Sequence, residues 1–173
     1  MAAKRNKAET KKPDETGSGA DQVSALDLLE EDHSQVEGFF EEYEQLEQAD
    51  EKEQLALKIC MMLQVHTQVE EEIFYPAVRN AIDKTEMIDE AIVEHAAAKQ
   101  LIAEIEEMDP GDELYDARVK VLGEQVRHHI EEEEDELFPE VEGSGLDLGA
   151  LGKMMAERKA ALLQQEEGER EIS

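Results

Sequence analysis

Apolar side chains recur along this chain at alternating steps of three and four, the signature of helices that bury one face. From Ser24, a residue suited to capping a helix N-terminus, the stripe runs through Leu26, Leu29, Val36, Phe40 and Tyr43 and predicts a first helix ending near Ala49. A second is predicted from about Asp50 to Asn80, with Leu55, Ile59, Met62, Val69 and Ile73 inward. Pro76 should kink or loosen its last turn, because it cannot donate to the carbonyl four residues back. A third spans about Thr85 to Met108 through Ile88, Ala91, Ala98, Ile102 and Ile105. After the turn Asp109-Pro110-Gly111-Asp112, a fourth carries Tyr115, Val119, Leu122, Val126 and Leu137. Gly143-Ser144-Gly145 ends it, and Leu146 to Gln165 predicts one more short helix, frayed from Glu166.

Four helices with short connections and no strand pattern predict an all-α fold, an antiparallel up-down four-helix bundle with a short additional C-terminal helix. The bundle is expected over residues 23–142, followed by a loop, the short helix and a frayed end over 143–173. Residues 1–22, with Lys4, Arg5, Lys7, Lys11 and Lys12 beside Pro13, Gly17 and Gly19, hold little that can pack and read as a disordered basic tail. At 173 residues the chain suits one domain plus tails.

Each stripe is interrupted by one histidine: His33, His66, His95 and His129. Two of them open an internal repeat, HTQVEEEIFYP from His66 to Pro76 and HIEEEEDELFP from His129 to Pro139. Both copies place a Glu four residues after the His and an aromatic just before the Pro. Positions four apart lie on one face of a helix, so His66 with Glu70 and His129 with Glu133 can each present a nitrogen and a carboxylate to one point. The other two histidines follow an acid, as Asp32-His33 and Glu94-His95. Two hairpins related by a pseudo-twofold axis would bring four imidazoles and two carboxylates to the bundle centre and hold two metals. Four converging imidazoles would repel if charged and lack partners if dry, so metal is the simpler account.

Composition narrows the ion and the partners. With 46 acidic against 17 basic residues the formal charge is -29, which argues against nucleic acid or an anionic membrane as partner and favours cations or basic proteins. The lone Cys60 excludes a Cys-ligated zinc site and an internal disulfide framework, and a cytoplasmic setting is expected. No apolar run is long enough to span a bilayer. Nitrogen and carboxylate ligands without thiolate suit iron first, with manganese or zinc as alternatives. Two glutamates against two divalent ions leave a positive centre able to attract an oxide, hydroxide or peroxide bridge.

Other residues are weaker candidates. His128 precedes His129 and points about 100° away, so it replaces His129, with Glu132 or Glu133, only if the helix is rotated. Glu71, Glu72, Glu131, Glu132 and Glu134 form either an approach path for cations or a solvated face. Tyr43 and Tyr115 are read as core residues with hydroxyls at the edge, or as hydrogen-bonding groups near the site.

The order DH, HxxxE, EH, HxxxE, over about Leu26 to Glu140, resembles the hemerythrin-like proteins with their histidine-histidine-glutamate cation-binding domain. The resemblance implies that His33, His66, Glu70, His95, His129 and Glu133 ligate two irons, with the glutamates as bridges. Oxygen-carrying hemerythrins have a further histidine one turn after the third-helix histidine, where this chain has Lys99, and an acid five residues after the last histidine rather than four. These departures count against reversible oxygen carriage and leave an open iron position. Under the twofold, Lys99 is expected to reach toward Glu37. Two functions follow from the likeness: a di-iron protein reacting with a small oxidant or gas (oxygen, peroxide or nitric oxide), or an iron- or oxygen-sensing or iron-handling module without turnover.

Overall fold

Ser24 starts the first helix as a capping residue should, its hydroxyl accepting from the Leu26 amide at 3.2 Å. The structure is a computed structural model and describes residues 23–172, with side chains to residue 168; the expected basic tail lies outside the described residues. α1 spans Ala25–Gln45. α2 comprises Ala49–Val69, a π-helical turn Glu70–Phe74 and a final stretch Tyr75–Arg79. α3 spans Glu86–Glu106. α4 repeats the plan of α2, with Tyr115–Glu132, a π-helical turn Glu133–Leu137 and Phe138–Gly143. α5 spans Leu148–Ile172.

Neighbouring helices α1–α2, α2–α3, α3–α4 and α4–α1 pack in a ring, which is the expected antiparallel four-helix bundle, and α5 lies against α1 and α2. Among the described residues there is no strand. Two boundaries differ from expectation. α1 stops at Gln45 rather than near Ala49, because the chain reverses through an extended Leu46 (φ -79°, ψ 139°) with no Gly or Pro to mark it. α5 is long rather than short and stays helical beyond Glu166. Between Leu163 and Ile172 it has no apolar side chain, but the Gln, Glu and Arg there are good helix formers, Gly168 apart. Between α4 and α5 the chain turns at Gly145 with φ +79°, a conformation that favours glycine.

The widened turns lie directly before Pro76 and Pro139, where a proline ring would crowd the carbonyl four residues back in a regular helix. The Tyr75 amide bonds to the Glu70 carbonyl, and the Phe138 amide to that of Glu133. Pro76 therefore loosens its turn as expected, and it does so at the glutamate itself.

The apolar interior forms two blocks. One holds Leu29, Phe74, Val78, Ile88, Leu137, Val141 and Met155, covered by α5. The other holds Val36, Phe40, Ile59, Ile102, Tyr115 and Leu122. The four stripe histidines and two glutamates fall between these blocks in each helix and are all buried.

Candidate metal centre

Leu29 and Val36 flank His33 on α1, and comparable apolar neighbours flank the other three histidines, so burying each stripe carries its imidazole inward. All six predicted residues meet. Glu70 and Glu133 are 0% and 2% exposed. Glu70 Oε2 lies 3.2 Å from both His66 Nε2 and His95 Nε2. Glu133 Oε2 lies 3.4 Å from His33 Nε2 and 3.5 Å from His129 Nε2. Each carboxylate thus stands between one histidine of the first hairpin and one of the second, as the pseudo-twofold requires. His129, rather than the exposed His128, faces the centre.

The outward nitrogens are held with the same regularity. His33 Nδ1 lies 2.8 Å from Glu134 Oε1, His66 Nδ1 3.3 Å from Asp32 Oδ2, His95 Nδ1 3.0 Å from Glu71 Oε1 and His129 Nδ1 2.7 Å from Glu94 Oε2. Each imidazole is gripped by an acid on the preceding helix of the ring. An ionised carboxylate only accepts, so Nδ1 carries the proton and Nε2 is turned to the centre, the arrangement that orients metal-binding histidines. Asp32 and Glu94, the acids noted before His33 and His95, therefore serve the next histidine rather than their own neighbour. Glu71 and Glu134 join them, and neither is merely part of a solvated face.

Two lysines back these acids. Lys99 reaches Glu71 at 2.6 and 2.7 Å, which corrects the expected pairing with Glu37. Lys159 on α5 bonds Asp32, the acid that holds His66, and Arg158 bonds the exposed Glu72 at 2.6 Å, so α5 is tied to α1 and α2 beside the centre.

One buried group escaped the sequence reading. Tyr75 donates to Glu133 Oε1 at 2.7 Å, and its oxygen lies 3.2 Å from His95 Nε2 and 3.4 Å from Glu70 Oε2. In a regular helix Tyr75 would lie about 140° round from Glu70; the π-helical turn brings it back over that residue. The signal was the aromatic before each Pro. In the second copy it is Phe138, whose ring stacks on His33 at 6.0 Å. Tyr43 is elsewhere, bonded to Asp116 at 2.8 Å, and Tyr115 is in the other apolar block.

The charges at the centre are strongly coupled. Burial opposes a charged His66, but Glu70 and Asp32 outweigh it and push its pKa up to about 10. Burial likewise opposes an ionised Glu70, yet His66 and His95 hold it well below the usual carboxylate range. Burial, with the negative Glu133 and Glu70, pushes the Tyr75 phenol well above its ordinary value. His33 Nε2, Glu70 Oε1 and Glu133 Oε2 are buried without a hydrogen-bond partner. Unpaired buried polar atoms are costly, so orphaned donor atoms converging on one spot fit a bound cation. Ligand atoms of His33, His66, Glu70 and Glu133 lie within 4.8 Å of one another, as do those of Glu70, His95 and His129. On the histidine side is a cavity of about 40 Å³, walled by Val36, Leu63, Ala98, Val126 and Ile130.

A helical bundle with buried, carboxylate-oriented imidazoles around two glutamates has the make-up of a cation-binding protein. The family model described as the hemerythrin HHE cation binding domain matches residues 24–141. The chain belongs to that family, whose domain binds metal cations. A crystal structure of a hemerythrin HHE cation-binding domain-containing protein from Mycobacterium kansasii shares the fold, with a TM-score of 0.71 at 22% identity over 81% of this chain and 87% of that one. The chain is also 29% identical over 125 residues to a DNA nickase from Nostoc sp., covering 70% of this chain but only 34% of that protein. It thus spans about a third of that relative's length. Among the described residues, no helix is long and apolar enough to cross a membrane.

Proposed function

We propose that the centre holds two non-haem iron ions and reacts with a small oxidant or gas: oxygen, peroxide or nitric oxide. In this reading His33 and His66 hold one ion, His95 and His129 the other, and Glu70 and Glu133 bridge them. The observation that carries it is the placement of each glutamate oxygen within 3.5 Å of one histidine from each pair. Tyr75, whose oxygen lies 3.2 Å from His95 Nε2, would serve as a further ligand on the side where replacement of a histidine by Lys99 would leave iron open.

Bound iron would supply one-electron redox chemistry at two adjacent ions. The side chains supply the rest. The four Nδ1-bound acids fix the imidazoles, so ligands need not reorganise. Tyr75 holds a proton on its hydroxyl against Glu133 and can release it when positive charge arrives. The small cavity of about 40 Å³ beside the histidines suits a small molecule.

A DNA-directed activity, suggested by the nickase relative, is disfavoured by the charge of -29. The test is metal analysis after expression with iron, followed by assays for consumption of peroxide, nitric oxide and oxygen. About two irons per chain are expected in the wild type, with marked loss in His66→Ala and Glu70→Gln. Two bound irons and a large iron-dependent rise in melting temperature, with none of the three molecules consumed, would replace this reading by the sensing or iron-handling one. Iron-free protein under these conditions would overturn both.

A further inference from the structure

Outside the central cluster, α3 and α4 bring a second set of ligand-type side chains together nearer the surface. Glu94, His128 and Glu132 offer ligand atoms within 4.8 Å of one another. His128 Nε2 lies 3.2 Å from Glu132 Oε1, and the His128 side chain is 64% exposed. A groove lined by Glu94 and Glu132 also takes in Glu90 and Glu136 and includes Glu133 in its wall, with no lysine or arginine among its lining residues. Glu133 is 2% exposed, and its Oε2 makes no hydrogen bond. The apolar cavity on the histidine side does not include Glu133. Glu94 lines both spaces, and the groove is the one of the two that reaches Glu133.

We infer that Glu94, His128 and Glu132 form a docking site for a divalent transition-metal cation, which then passes along the groove to Glu133. This rests on the reading of the central cluster as a two-cation centre. One imidazole and two carboxylates suit ferrous, manganous or zinc ions, and partial exposure leaves the ion some of its water, so the site is weak and exchangeable. The groove carboxylates raise the local cation concentration and speed capture. Glu94 also grips His129 Nδ1 at 2.7 Å, so an ion docked on it stands one residue from the centre. The arrangement gives His128 a use that its exclusion from the centre left open, and it lets an ion shed water in stages before burial.

The test uses the full chain, stripped of metal, and the double variant His128→Ala/Glu132→Gln. Both substitutions are outside the central set. Stopped-flow loading with Co²⁺ should be about tenfold slower in the variant and less sensitive to salt, with two ions per chain bound at the end in both proteins. Titration with Mn²⁺, read by electron paramagnetic resonance, should show a weak additional ion in the wild type that the variant lacks. Equal loading rates would overturn the route, and no additional Mn²⁺ in the wild type would overturn the docking site. The Mn²⁺ reading stands even if the centre takes up no ions, so failure of the central reading is told apart from failure of this one.

Discussion

Replacing Tyr75 by Phe removes one oxygen atom from the middle of the centre. The ring should be tolerated, because Phe138 occupies the matching place in the second repeat and stacks on His33 at 6.0 Å. What is lost is the donor at 2.7 Å from Glu133 Oε1, and the other oxygen of that carboxylate already lacks a hydrogen bond. A hydrogen bond to a buried charged group contributes about 1.5–3 kcal/mol. At roughly 2–4 °C per kcal/mol for a chain of this size, the metal-stripped variant should melt about 3–12 °C lower. Differential scanning calorimetry of the stripped protein measures this. Visible absorption of the ferric protein tests the second role, since removing a phenolate ligand should abolish its charge-transfer colour while both irons stay bound. A variant that melts with the wild type, and whose ferric spectrum is unchanged, would refute Tyr75 as either donor or ligand.

Asp32→Asn should weaken metal binding about 10–100-fold without unfolding the bundle, because it removes the charge that orients His66, and competition with a chelator measures it. Lys159→Met keeps the Asp32 carboxylate and removes a positive charge beside it, so it should shift the same affinity the opposite way and by less, with Lys159→Arg close to the wild type. With the pKa of His66 pushed up to about 10, ion binding near neutral pH must expel a proton, so affinity rises with pH; calorimetry in buffers of different ionisation enthalpy reads the release. The stability of the stripped protein runs the opposite way. The part due to charged His66 is complete below its unfolded pKa of about 6.5 and is lost as pH rises through about 10. Gly152→Ala would drive a methyl to 2.7 Å from the Ala25 amide nitrogen and push α5 off the start of α1, costing about 1–3 kcal/mol in thermal or urea unfolding.

The six central residues were legible because burial and helical periodicity act together. A histidine that interrupts an apolar stripe must go inward with it, and a glutamate four residues later shares its face. Regular helices hide what depends on neighbours or on irregular backbone. The grip of Asp32 on His66 crosses between helices, so spacing within α1 pairs Asp32 only with its adjacent histidine. Tyr75 was missed for the second reason, since a regular turn would carry it off the face of Glu70 and only the widened turn before Pro76 returns it. Lys99 was paired through the twofold with Glu37, but α2 lies beside α3 and offers Glu71 at hydrogen-bond distance.

The repeat accounts for what is alike in the two halves, and its exceptions separate them. Histidines, glutamates and oriented acids are duplicated, with each imidazole fixed by the helix before it. A displacement of any one helix therefore disturbs a ligand on the next, and the ring ties the four helices together. The position before each proline is not duplicated in kind: Tyr75 brings a hydroxyl to the His95 side, whereas Phe138 brings only a ring face to His33. Nor is the covering, since α5 ties Lys159 to Asp32 on the first hairpin, while on the second the matching acid Glu94 has His128 and Glu132 beside it. Two cations held here would sit in unequal surroundings, one with a phenol and the other with an aromatic wall. An unequal pair can divide binding and electron transfer between its members, and part of the inequality traces to one hydroxyl, that of Tyr75, at a position where the second repeat has Phe138.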